Sequence, residues 1–152
     1  MVKEGTAAPA FKTTDANGEP VRLKDFRGKK VVLYFYPKDD TPGCTKEACS
    51  FRDAFSKFKK QGITILGVSP DSEKSHQKFT AKYNLPFTLL ADTNHSIADA
   101  YGVYGEKKFM GRTYMGIHRT TFLIDEKGKI KKVFEKVKPE DHADEVLGAF
   151  SG

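Results

Sequence analysis

Val31-Val32-Leu33-Tyr34-Phe35-Tyr36, followed four residues later by Thr41-Pro42-Gly43-Cys44-Thr45-Lys46-Glu47-Ala48-Cys49, is the stretch on which the fold turns. The first half is an unbroken apolar run of strand length, as a central strand buried on both faces requires. The second half opens a helical pattern predicted over Cys44 to Lys60. At about 100° per residue, Cys44, Ala48, Phe51, Phe55 and Phe58 form one apolar stripe. Cys49 falls about 140° away, on the polar side with Thr45, Arg52 and Ser56. Gly62 suits the end of this helix. A strand therefore delivers a thiol to a helix N-terminus, where unpaired N–H groups favour an anion. The thiolate is the nucleophilic form of cysteine.

Outward from this stretch, Phe11 to Thr14 and Val21 to Leu23 read as short strands around Asn17-Gly18, a hairpin signal. Ile63 to Val68 is a second buried strand. Ser72 can cap a helix running to Tyr83, with Phe79 and Tyr83 inward. A short strand follows Pro86, from Phe87 to Leu90. Asp92 or Asn94 can cap a helix to Tyr101. Gly102 to Ile117, with three further glycines, reads as an irregular and functional loop. Thr120 to Ile124 and Ile130 to Phe134 flank a second hairpin turn, and Pro139 begins a last helix. The alternation predicts an α/β sandwich with a mixed central sheet flanked by helices. One domain over residues 1–152 is expected, with the helix at Cys44 and the terminal helix on one face.

The 152 residues are 38% hydrophobic and 30% charged, the balance of a soluble globule with one sizeable core, which the 12 Phe and 6 Tyr can fill. No apolar run approaches the roughly 20 residues of a membrane span. The N-terminus lacks the apolar stretch of a secretory signal, so a cytoplasmic protein is expected. Net charge is +6. The cations are spread, with a denser stretch from Lys127 to Lys138. Ile130, Val133 and Phe134 interrupt it, so it reads as a solvated ribbon rather than a nucleic-acid surface.

Two cysteines cannot build a secreted disulfide framework, and a close pair in a reducing compartment is catalytic or metal-binding. The four histidines are scattered and make no ligand cluster with the pair, so no metal is expected. In a regular helix, Cα atoms five residues apart lie about 8.6 Å from each other. A disulfide rarely spans more than about 7 Å. Cys44 and Cys49 therefore cannot bond while the helix is intact, unlike the partners of a Cys-x-x-Cys exchanger. Thr41 fits either of two roles, a hydroxyl at the reactive turn or an N-cap side chain. Glu47, one turn beyond Cys44, would oppose a thiolate, so a cation is needed. Arg119, just before a predicted strand, is the better candidate than Arg52.

Across almost the whole chain the sequence resembles the peroxiredoxins, in particular the bacterioferritin-comigratory-protein or Q-type subgroup. The most specific part runs from Tyr36-Pro37-Lys38-Asp39-Asp40 through Thr41-Pro42-Gly43-Cys44 to Phe51-Arg52-Asp53. Tyr101-Gly102-Val103-Tyr104-Gly105 and Arg119-Thr120-Thr121-Phe122 are later matches. The resemblance implies a thioredoxin-like fold and a thiol peroxidase acting on hydrogen peroxide and organic hydroperoxides. By the same resemblance, Cys44 is the peroxidatic and Cys49 the resolving cysteine, joined in a Cys44–Cys49 disulfide during turnover. Pro37 shields the thiolate, Thr41 holds the peroxide, Arg119 faces the sulfur and Glu47 orients the network. No cofactor is implied, the reductant is thioredoxin or a glutaredoxin-like protein, and the chain is a monomer. Phe51, Phe109, Met110 and Tyr114 are candidates for an apolar approach for alkyl peroxides. Two rival classes stand beside this one: a thiol–disulfide oxidoreductase acting on protein disulfides, and a non-enzymatic binding module using the basic surface.

Overall fold

The computed structural model describes residues 1–151. Seven strands form one mixed sheet in the order β2-β1-β5-β4-β3-β8-β9. The outer strands β1 (Lys12–Asp15) and β2 (Pro20–Arg22) pair antiparallel, and β1 joins β5 (Thr88–Ala91) antiparallel. The centre is parallel, with β3 (Lys30–Phe35) beside β4 (Ile63–Ser69) and β4 beside β5. On the other flank β8 (Thr120–Ile124) and β9 (Ile130–Phe134) run antiparallel. The two faces carry separate cores, as a buried central strand demands. Val32, Tyr34 and Tyr36 pack under α1 (Pro42–Asp53), α2 (Phe55–Lys60), α3 (Glu73–Tyr83) and α5 (His142–Ser151). Val31, Leu33 and Phe35 pack under α4 (Ser96–Tyr101). No helix among the described residues is long and apolar enough to cross a membrane.

Several sequence expectations are met locally. Ser72 caps α3, its hydroxyl accepting from the Ser75 N–H at 3.1 Å. Asp92 takes the Ile97 and Ala98 amides at the start of α4, both at 3.0 Å. Gly62 follows α2 at φ 69°, a left-handed conformation that glycine adopts without a Cβ clash.

Three expectations are corrected. The helix predicted from Cys44 to Lys60 is two helices, broken at Ala54 (φ −98°, ψ 4°). The break turns α2 so that Phe58 is fully buried and its ring lies 5.7 Å from that of Phe51. The segment from Gly102 to Ile117 is not irregular. It is a two-stranded ribbon, β6 (Tyr104–Phe109) and β7 (Arg112–Ile117), closed by Met110 and Gly111 at φ 51° and 78°. Two consecutive positive φ values match the twist of a hairpin, but Met-Gly lacks the usual Asn or Asp signal. The last helix begins at His142, leaving Pro139 in the turn before it.

Candidate active site

The strand that carries the site is β3. Its period-2 alternation aims Tyr34 at the α1 face, where its ring stacks on Phe51 with centroids 4.8 Å apart. Tyr34 lies across Gly67 of β4. A Cβ at Gly67 would sit 2.8 Å from Leu89 Cδ2 and 2.9 Å from the Tyr34 ring, so any side chain there would displace the tyrosine.

Between β3 and α1 the chain makes a tight loop that α3 holds from below. Asp39 is buried, accepting from the Tyr36 hydroxyl (2.6 Å) and the Ser75 hydroxyl (2.8 Å) and meeting His76 Nδ1 at 2.7 Å. Its own N–H donates to Asp71 at 2.8 Å. Among the described residues, Asp39, Asp71 and His76 form a group whose ligand-type atoms lie within 4.8 Å of one another. Both His76 nitrogens are already engaged, Nε2 meeting the Leu90 carbonyl at 2.9 Å. The group fastens the loop. Asp40, at φ 58°, extends the anchorage by accepting from Lys82 (2.8 Å) and the Tyr83 hydroxyl (2.9 Å). These two bonds, the Lys82 one foremost, hold its carboxyl below the ordinary carboxylate range.

The loop delivers Pro37, which is half-buried, and then Thr41. Thr41 is the N-cap residue of α1 by backbone, its carbonyl accepting from the Thr45 N–H at 2.8 Å. Its hydroxyl does not cap the helix. It donates to the Lys38 carbonyl at 2.9 Å, which leaves the oxygen lone pairs free to accept from a ligand. Pro42 stands in the first turn of the helix, and Cys44 is its third residue, where an N–H has no intrahelical acceptor.

Cys44 is 2% exposed, on the core-facing side of α1 as its stripe position requires. Cys49 is half-buried, and both are free thiols. Arg119, entering from the start of β8, forks between two groups. Its Nη2 donates to Cys44 Sγ at 3.2 Å and its Nη1 donates to Glu47 Oε1 at 2.6 Å. Gly43 makes room for the fork, because a Cβ there would lie 3.3 Å from Nη2. Burial opposes the guanidinium charge, but Glu47 and then Cys44 outweigh it and hold its pKa above the ordinary value.

Glu47 is fully buried. Loss of water pushes its pKa up to about 7 even though Arg119 opposes the shift. Its second oxygen, Oε2, has no hydrogen-bond partner, and neither does the buried Tyr34 hydroxyl. Tyr34 is driven well above its ordinary pKa, first by burial and next by the negative charges of Glu47 and Cys44. One guanidinium thus serves two potential anions in a site shielded from solvent. The cation required by the sequence is Arg119, and Arg52 instead pairs with Asp53 at 2.9 Å.

Sequence reasoning missed three contributors. Tyr34 was readable from the alternation of β3, whose even-numbered positions face α1. Lys107, on β6, donates to the Ile117 carbonyl at 2.9 Å, and its pKa is lowered first by partial burial and then by Arg119, while Cys44 acts in the opposite sense. It was hidden by the loop reading of 102–117. His142 meets Thr121 Oγ1 at 2.7 Å and sets its ring against Phe51, 5.6 Å between centroids at 81°. This contact and the Ala143 N–H to Ser50 hydroxyl bond (3.2 Å) seat α5 against α1.

The apolar approach needs correcting at one residue. Phe51 has no exposed surface and is a core residue among Tyr34, Phe58 and Phe87, so it cannot line an entry path. Phe109, Met110 and Tyr114 lie on the ribbon and are 66%, 87% and 46% exposed. Phe109 and Tyr114 share the ribbon face of Lys107, since Lys107 pairs with Tyr114 and Phe109 with Arg112.

Residues 5–133 match the AhpC/TSA family, and the chain belongs to it. Within that family it is a peroxiredoxin of the Bcp or Q type, and so a thiol peroxidase that reduces hydroperoxides. It is 54% identical over 147 residues to a putative peroxiredoxin bcp of Coxiella burnetii, covering 97% of both chains. Identity to peroxiredoxin Bcp of Bacillus subtilis is 51%, over 96% of this chain and 93% of that one. Among solved structures, the bacterioferritin comigratory protein of Xanthomonas campestris superposes with a TM-score of 0.91 at 38% identity, covering 98% of each chain. That protein is described as having alkyl peroxide reduction activity.

Proposed function

We propose that Cys44 is the sulfur oxidised by the hydroperoxide and that Cys49 resolves it. The observation that carries this reading is the Arg119 fork, 3.2 Å from Cys44 Sγ and 2.6 Å from Glu47 Oε1. A guanidinium held by a buried carboxylate against a sulfur at a helix N-terminus stabilises negative charge on that sulfur. The anionic sulfur attacks the terminal oxygen of ROOH, the O–O bond breaks, and RO⁻ leaves and takes a proton as ROH. Cys44 becomes a sulfenic acid.

Charge moves from sulfur to the leaving oxygen as the bond stretches. Arg119 and the Cys44 N–H are donors already in place for it. Thr41 supplies the acceptor for the peroxide O–H, because its own proton is committed to Lys38. Pro37 limits the approach of water from the loop side.

The Cys49 thiol then displaces water from the sulfenic acid to form the disulfide. Both cysteines lie on α1, so the helix must unwind between them first. A dithiol protein, thioredoxin or a glutaredoxin-like reductant, returns both thiols by exchange. Both sulfurs, Arg119 and Glu47 come from one chain, which supports a monomer as the working unit. A cytoplasmic location fits the need for a reducing dithiol supply.

Stopped-flow addition of peroxide with intact-mass detection tests the assignment. Mass gains of one oxygen and then loss of water are expected, and Cys44→Ser should abolish both. A Cys44→Ser variant with full peroxidase turnover refutes it. Rapid reduction of insulin disulfides with sluggish peroxide reaction would favour the exchanger class instead.

A further inference from the structure

The ribbon β6–β7 has a composition that the peroxidase chemistry does not require. Of the five large apolar side chains exposed among the described residues, four sit on it: Phe109 (66%), Met110 (87%), Tyr114 (46%) and Met115 (56%). It forms its own two-stranded sheet, apart from the seven-stranded one. Residues 108–115 are all exposed. Isolated exposed apolar residues are ordinary, but a cluster confined to one projecting element is not.

The register shows how these side chains are arranged. Lys107, Phe109, Arg112 and Tyr114 lie on one face. Glu106, Lys108, Thr113 and Met115 lie on the other. Met110 is at the apex, in the left-handed conformation that closes the turn. Apolar groups therefore occupy both faces and the tip. A flat partner surface can cover one face of a ribbon and must leave the other wet. A medium that the tip enters covers both. Lys107, Lys108 and Arg112 stand against Glu106 alone, so the ribbon is also a local excess of positive charge, within a chain of net charge +6.

We propose that the β6–β7 ribbon is an interfacial anchor that inserts Phe109 and Met110 into anionic lipid surfaces, with Lys108 and Arg112 pairing with headgroups. An apolar tip flanked by cations is an arrangement that binds such interfaces, by apolar burial and electrostatic attraction together.

The chain contains no Trp, so Phe109→Trp supplies a single fluorescent reporter. The reduced full chain is mixed with vesicles of phosphatidylcholine alone and of phosphatidylcholine with about one third phosphatidylglycerol. Binding is read by co-sedimentation and insertion by emission wavelength, without peroxide. At least tenfold tighter association with the anionic vesicles and a blue shift of the reporter are expected. Replacing Lys108 and Arg112 by Gln should weaken binding about fivefold per cation. Phe109→Ser with Met110→Ser should weaken it at least tenfold while leaving the circular dichroism unchanged.

Equal affinity of that double variant, binding without a blue shift, or no binding to anionic vesicles overturns the proposal. So does a solution mass that is twice the chain mass and is halved by the double variant, since the tip would then be a contact between two copies. Because the vesicle assay contains no oxidant, its failure would leave the Cys44 assignment standing, and failure of Cys44 oxidation would leave the vesicle result as expected.

Discussion

Replacing Glu47 by Gln should flatten the pH dependence of stability between pH 5 and 8. Glu47 has no exposed surface, and burial raises its pKa from 4.5 to about 7 against the opposing effect of Arg119. The folded chain holds this proton more tightly than the unfolded chain does. Below pH 4.5 the carboxyl is protonated in both states and its contribution is fully present. As pH rises through about 7, the folded protein must carry a buried charge and stability is lost. The difference between about 7 and 4.5, at about 1.4 kcal/mol per pH unit, is on the order of 3 kcal/mol. Roughly 2.5 kcal/mol of this falls between pH 5 and 8.

Glutamine keeps a carbonyl oxygen for Arg119 Nη1 but cannot ionise. Urea unfolding of the reduced chain at both pH values, for parent and variant, isolates the effect, because titrations not coupled to Glu47 cancel in the difference. The variant should gain relative to the parent as pH rises, by about 2–3 kcal/mol. Parallel stabilities at the two pH values would refute a buried, ionisable carboxylate at this position.

The pairing makes a complementary prediction for Arg119→Met, which leaves Glu47 buried without its cation. The loss should be on the order of 3 kcal/mol at pH 8 and smaller at pH 5, where protonated Glu47 needs no partner, and peroxide oxidation of Cys44 should slow about 10²-fold or more by stopped flow. Gly67→Ala should destabilise by about 1–3 kcal/mol in thermal or urea unfolding, since its Cβ would lie 2.8 Å from Leu89 Cδ2 and 2.9 Å from the Tyr34 ring. Cys49→Ser should accept the first oxygen as fast as the parent and then stall without a disulfide, visible by intact mass. In the oxidised parent, amide exchange should rise across residues 44–50, and unchanged exchange there would contradict the unwinding step.

The central strand and the first helix were legible because one long apolar run and one apolar stripe have few alternative readings. The positions of Cys44 inside and Cys49 on the polar side followed from the helical period alone. The need for a cation beside Glu47 was also readable, being a matter of charge. Arg119 was the candidate named, and the resemblance set it at the sulfur, but the residues alone could not bring it there, because β8 reaches β3 only through a long-range antiparallel pairing. The ribbon escaped notice because both of its faces are wet, so no alternation of apolar and polar residues marks it. Thr41 kept two readings in sequence; only its bond to Lys38 separates them. The break at Ala54 has no glycine or proline to announce it, since the cause is the direction in which Phe58 must point.

That interruption limits how far damage can spread. In the proposed mechanism the helix turns between the two sulfurs unwind in every catalytic cycle, and a continuous seventeen-residue rod from 44 to 60 would transmit the disorder to its far end. With the helix already broken between α1 and α2 at Ala54, Phe58 can stay seated against Phe51's neighbours and β4 while the preceding turns are rebuilt. In that mechanism a replaceable part is dismantled each time and the foundation is kept.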